Sequence, residues 1–263
     1  MEGDMPRTAT VNYHVHKAER QGFQIDAGGV VGNLISPELA VTEVSVNDVR
    51  AGEAAVLFDQ DAVAFVEAPS EVTSFDRGDG WRAVYDRELT SLLESELGVS
   101  EVVIFDHTVR TDDPDAARKP ARNVHSDYSV DGARQRLVDI LGPERASEWS
   151  RGHYAFINVW RPVDHPINSA PLGFVRPSSQ KEGDWILLDL IYPDRVGQIM
   201  GLAANPQHEW VYQSRMTPGE VAFFNIYDNS GLPSIAHSAL DMVEDEAVQT
   251  MRKSIESRTL VRY

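Results

Sequence analysis

The sequence predicts a mainly β fold with flanking helices (α+β), a double-stranded β-helix or jelly roll of the cupin-like kind. Short runs rich in β-branched and aromatic residues recur from residue 153 to the end, punctuated by Pro, Gly, Asn and Asp. That is the pattern of a sandwich or barrel. Helical spacing of apolar residues falls mainly in the earlier part of the chain. At 263 residues the chain can bury one large core, and 42% hydrophobic with 25% charged residues is the balance of a globular chain, not a disordered one.

The elements follow in order. Residues 1–16 hold no apolar run of the kind a secretory leader needs, and no later run reaches membrane-spanning length; the expected location is cytoplasmic. Residues 11–16 read as a strand, 22–31 as turns with short strands, and 37–49 as a helix or two short strands. Residues 54–66 are apolar without a decisive period. Leu89, Leu92, Leu93 and Leu97 share a helix face over residues 85–97, and Gly98 stops that helix. A short strand is expected over 99–107, then a polar loop over 110–123 broken by Pro114 and Pro120. Residues 131–141 read as a helix ended by Gly142-Pro143. Strands are expected over 154–163, 172–176, 185–192, 209–213, 220–227 and 255–262, with a turn at 216–220. The organisation expected is a single domain, 1–263: an N-terminal extension with strands and a helix over 1–98, and a catalytic core over 99–263.

A net charge of −17 repels phosphate backbones and anionic lipid, so nucleic acid and membrane surfaces are poor partners. A small-molecule substrate fits better, and a homodimer is compatible with these numbers. Cysteine is absent, which removes disulfides, thiolate metal sites and cysteine nucleophiles. Any metal must be held by His, Asp or Glu.

His125-Ser126-Asp127 is the sole His-x-Asp in the chain. A strand turns residues i and i+2 to one face, so this tripeptide aims an imidazole and a carboxylate at one point. A second histidine from a distant strand completes a facial triad, which suits iron(II) and leaves adjacent positions open. His153, His165, His208 and His237 are available. His237 is preferred. It lies 112 positions after His125 (237 − 125), at the end of an apolar approach from Pro233, and a basic strand follows it. That strand suits 2-oxoglutarate, whose distal carboxylate needs a positive fork and a hydroxyl. Arg252 and Ser254 share a strand face, with Arg258 on the same face by parity; Arg252 and Ser254 rank first as the clamp.

Five segments occur in a telling order: 123–128 (NVHSDY), 158–162 (NVWRP), 217–228, the Ile235-Ala-His237 approach and 252–258 (RKSIESR). Together they resemble the CmcJ/NvfI family, the asaB-type hydroxylases and desaturases, from about residue 99 to the C-terminus. The resemblance implies a double-stranded β-helix, iron(II), 2-oxoglutarate and O2, with His125, Asp127 and His237 as the catalytic metal ligands. It marks Asn158, Trp160 and Arg161 as pocket residues. Asn123 and Tyr128, flanking the ligand motif, are assigned to the substrate with them. The family's hydroxylation, desaturation and ring-forming reactions leave the product open. The substrate expected is a secondary metabolite or an amino-acid derivative.

Two other classes compete. A cupin-like metal-dependent hydrolase or isomerase uses the same ligands with a metal-bound water but has no use for the arginine clamp. A non-catalytic barrel binding module keeps the pocket without turnover. The pair His14-x-His16 has metal-binding spacing but reads as structural.

Overall fold

Strands dominate the computed structural model, which describes residues 7–75, 78–243, 245 and 250–263. Residues 1–6, part of the stretch read for a leader, lie outside the described residues. In chain order come β1 (Arg7–His14), β2 (Gln21–Ile25), β3 (Leu34–Ile35), β4 (Leu39–Asp48), the one-turn helix α1 (Phe58–Asp61), β5 (Val63–Glu67) and helix α2 (Arg82–Leu97). Then follow β6 (Glu101–Thr111), β7 (His125–Ser126), helices α3 (Val130–Leu141) and α4 (Pro143–Trp149), β8 (Tyr154–Pro162) and β9 (Leu172–Val175). The chain closes with β10 (Trp185–Ile191), β11 (Val196–Leu202), β12 (Trp210–Tyr212), β13 (Glu220–Asp228), β14 (Ala236–Ala239), β15 (Asp241–Met242) and β16 (Lys253–Arg262).

Among these residues the strands form two sheets. The larger runs β15-β1-β4-β12-β9-β14-β7-β11-β10-β2-β3, and the smaller runs β5-β13-β8-β16-β6. This is the expected jelly roll. The sheets meet through one apolar core, where Phe174 of β9 and Phe224 of β13 cross edge to face at 5.0 Å between ring centres.

Alternation along β8 and β16 sets the layers. Every residue of β8 is buried, so this strand is covered on both faces. Phe156 and Trp160 belong to the core between the sheets, while Ala155, Ile157 and Val159 pack with Tyr85, Leu89 and Leu93 of α2. On β16, Leu260 joins the inner core and Ile255 and Val261 join the outer one. Ser254, Glu256 and Arg258 therefore share the inner face by parity. Leu89 and Leu93 are fully buried, each stabilising the α2 contact by roughly 2 kcal/mol. Gly98 ends α2 as expected, at φ 65° with its amide donating to Glu94.

Several expectations change. Residues 37–49 hold one long strand, β4, because β1 and β12 pair with it on either side. Residues 54–66 divide into α1 and β5. Pro143 ends one helix but starts another, as proline favours the first helical turn. β11 was unrecognised: Gly197 and Gly201 interrupt its apolar pattern. Residue 98 marks no boundary between sheets. β1 and β4 stand inside the larger sheet, β2 pairs with β10, and β5 pairs with β13 of the smaller one.

Candidate active site

The site begins at β7, only two residues long. The chain leaves the sheet there because Ser129 caps α3, its hydroxyl accepting the Gly132 amide at 3.0 Å. Asp127 thus stands in a bend just past the strand. On one side of β7 lies β14, in a register that makes His237 the direct antiparallel partner of His125. On the other lies β11, with Gly201 opposite His125. A side chain at Gly201 could not fit: its β-carbon would fall 2.6 Å from His14 Cδ2 and from Leu188 Cδ1.

The two imidazole rings lie 4.5 Å apart, tilted at 48°. A carbonyl can only accept, so His125 Nδ1 carries the proton it donates to Asn123 O at 2.8 Å. His237 Nδ1 points likewise to Ile235 O at 3.4 Å. Both rings therefore present a bare Nε2, the usual way a second hydrogen bond orients a metal-binding imidazole. His125 Nε2 is 3.7 Å from Asp127 Oδ1, and the ligand atoms of His125, Asp127 and His237 all lie within 4.8 Å of one another.

The other carboxylate oxygen is engaged elsewhere. Asp127 Oδ2 accepts from Asn158 Nδ2 at 2.8 Å and from Arg258 Nε at 3.1 Å. Burial alone would raise the Asp127 carboxyl. The Arg258 guanidinium, then His125, His237 and the Asn158 amide outweigh it and hold the group well below the usual carboxylate range. Burial first, and His125 second, push His237 down to about 3. The cluster thus offers a neutral His237 imidazole and an anionic carboxylate beside the bare Nε2 of His125, the kinds of donor a facial iron(II) site requires.

A second feature lies on the same inner face. Arg252 is 2% exposed, and no carboxylate pairs with it among the described residues. Its guanidinium lies 5.1 Å over the Trp160 ring, donates Nη1 to the Ala170 carbonyl and reaches Ser254 Oγ at 3.5 Å. Arg252 Nε and Trp160 Nε1 are buried without a hydrogen-bond partner. Burial, then the nearby Arg110, press the arginine's pKa down. An unpaired buried cation with idle donors fits an anionic co-substrate.

The remaining candidates divide. Arg258 donates Nε to Asp127 and Nη1 to Asp106 at 2.7 Å, and its Nη2 lies 2.5 Å from Glu256 Oε1 as an ion pair, so its charge is shared among carboxylates of the protein. Asn158 is bound to Asp127, and Asn123 gives its carbonyl to His125 while its amide lies 3.4 Å from His14 Nε2. Tyr128 packs beside Phe156 at 5.0 Å between ring centres. Burial, then Asp127, push its phenol up to about 12. Arg161 faces the other way. It is one residue from Trp160, hence on the opposite face, where Nε donates to Tyr85 Oη at 3.3 Å and Nη1 to the Pro218 carbonyl at 2.8 Å. A pocket between the sheets is out of its reach.

Sequence reasoning passed over two residues. Glu256 and Asp106 surround Arg258, and the parity that grouped Arg252, Ser254 and Arg258 also contains Glu256. His14, read as structural, is buried beside the site. Burial and then His125 push it down to about 4.

Comparison with known proteins agrees with this geometry. Residues 11–262 match the family described as Oxidoreductase/YMDC permease-like domain. No helix among the described residues is long and apolar enough to cross a membrane. The chain is 31% identical to hydroxylase/desaturase efuI of Hormonema carpetanum, over 96% of this chain and 93% of that one. It is 26% identical to the alpha-ketoglutarate-dependent dioxygenase phiK of a fungal species, over 85% of this chain and 84% of that one. Among solved structures, the iron and alpha-ketoglutarate-dependent endoperoxidase NvfI superimposes with a TM-score of 0.84 at 20% identity, covering 98% of this chain and 97% of that one.

Fold and site together define a jelly-roll oxidoreductase built around the one His-Asp-His cluster found among the described residues. The chain belongs to the CmcJ/NvfI-like family of iron(II)/2-oxoglutarate-dependent oxygenases.

Proposed function

We propose that His125, Asp127 and His237 hold iron(II), that Arg252 with Ser254 grips the distal carboxylate of 2-oxoglutarate, and that the substrate is a small secondary metabolite or amino-acid derivative oxidised at a C–H bond. The observation that carries the metal assignment is the register of β7 and β14, which makes His125 and His237 direct partners beside Asp127. Iron, when bound, supplies the redox chemistry that couples 2-oxoglutarate and O2 to oxidation of the substrate.

The chain's own residues orient and exclude. The carbonyls of Asn123 and Ile235 fix the two imidazoles. Arg252, Ser254 and Trp160 give the co-substrate carboxylate a cation and hydrogen-bond donors in a buried setting, where charge-assisted bonds are strong. Tyr128, next to Asp127, is the candidate substrate wall. Phe174 and Phe224, within 6.3 Å and 4.8 Å of the His237 ring, keep water from its inner side. Hydroxylation, desaturation and ring formation all remain products this site can support.

The same reading takes residues 1–263 as one domain, since N-terminal strands complete both sheets. It takes the cytoplasm as the place of action, because iron(II) and 2-oxoglutarate are both available in a reducing cell interior.

The buried, unpaired Arg252 favours this reading over a metal-dependent hydrolase, which needs no second cationic site. The test is turnover: 2-oxoglutarate should be converted to succinate in proportion to O2 consumed, and only with iron(II). Substrate hydrolysis without O2 would favour the hydrolase, and an absence of metal binding would favour a binding module.

A further inference from the structure

Asn158, Arg258 and Asp106 stand in one row across the smaller sheet. Arg258 of β16 is the direct partner of Asn158 on β8 and of Asp106 on β6. The row faces Asp127, which stands in the bend just past β7 of the other sheet. Two of its members reach across: Asn158 Nδ2 at 2.8 Å and Arg258 Nε at 3.1 Å converge on Oδ2. The third member steadies the arginine, with Asp106 at 2.7 Å from Nη1 and Glu256 at 2.5 Å from Nη2. Every nitrogen of Arg258 thus has a carboxylate within ion-pair distance.

The consequence concerns how many oxygens Asp127 can offer. A free carboxylate can present both oxygens to a cation. Here Oδ2 is held by two donors from a neighbouring sheet, while Oδ1 faces His125 Nε2 at 3.7 Å. We infer that Asn158 and Arg258 are positioning residues that restrict Asp127 to a single ligating oxygen and so keep the remaining metal positions open for the co-substrate and O2. This inference rests on the assignment of His125, Asp127 and His237 as metal ligands. Asn158 and Arg258 act through Asp127.

The test is anaerobic titration of the full chain with Co(II), which reports affinity and coordination without turnover. Asn158→Leu removes the amide at similar volume, and Arg258→Lys keeps the charge but loses the directed Nε–H. Each should bind Co(II) roughly ten- to hundredfold more weakly, as loss of an outer-shell partner typically does. Each should also change the visible d–d spectrum as the second oxygen becomes free. Asn158→Gln, which retains an amide donor, should recover part of both. Should Asn158→Leu fail to fold, Arg258→Lys carries the test. Wild-type affinity together with an unchanged spectrum in both variants overturns the positioning role alone. A wild-type chain that binds no Co(II) overturns the metal assignment itself, and this inference with it.

Discussion

The Arg252 guanidinium lies 5.1 Å over the ring of Trp160, and both side chains keep a buried N–H without a partner. Buried donors normally find acceptors, so this pair points to a missing anion. Replacing Arg252 by Met should raise the 2-oxoglutarate concentration for half-maximal turnover by at least about thirtyfold, corresponding to about 2 kcal/mol for one side of a buried charge-assisted pair. Co(II) affinity should stay within about twofold, because Arg252 touches none of the ligands. Steady-state kinetics in 2-oxoglutarate and metal titration check both halves.

Arg161 makes the contrasting prediction. Its hydrogen bonds to Tyr85 and to the Pro218 carbonyl lie behind the smaller sheet. Arg161→Met should cost about 1–3 kcal/mol of folding stability through the unsatisfied partners it leaves. Metal and 2-oxoglutarate binding should be unchanged. Denaturant unfolding measures the first, and a rise in the 2-oxoglutarate requirement would return Arg161 to the pocket.

Acid should weaken the metal-free protein through buried imidazoles. Burial pushes His14 from 6.5 down to about 4, and it lowers His107 and His208 as well. These groups stay neutral when folded and take up a proton when unfolded. Their stability contribution is complete above pH 6.5 and is lost as pH falls towards the folded values. For His14 the loss on reaching pH 4 is on the order of 3 kcal/mol. Calorimetry of the metal-free chain at pH 7.5, 6 and 5 should show a falling melting temperature. His14→Phe should flatten the fall.

What was legible in the sequence was the chemistry that depends on residue type and strand parity. His-x-Asp and the Arg-x-Ser pair were read from the side-chain period of two, and His237 from its distance along the chain and its apolar approach; Asp127 and Arg252 stand one residue outside β7 and β16. Parity could also have excluded Arg161 from any pocket shared with Trp160, and could have added Glu256 to the inner face. What stayed hidden depends on pairing between distant segments. β4 is a ten-residue strand because β1 and β12 flank it, and nothing within residues 37–49 announces those neighbours. The pairing of the N-terminal strands stayed hidden for the same reason: β1, β2, β4 and β5 bond to strands from the far half of the chain. The role of Asn158 likewise became visible only once Asp127 was seen opposite it.

The central claim is that His125, Asp127 and His237 bind one iron(II) with 2-oxoglutarate beside it. Its most direct test is the visible spectrum of the anaerobic protein given iron(II) and 2-oxoglutarate together. The wild-type chain should develop a weak metal-to-ligand charge-transfer band that saturates at one iron per chain and is absent in His125→Ala and His237→Ala. A band that persists in both variants, or a wild-type chain that shows none when loaded with iron, would contradict the account.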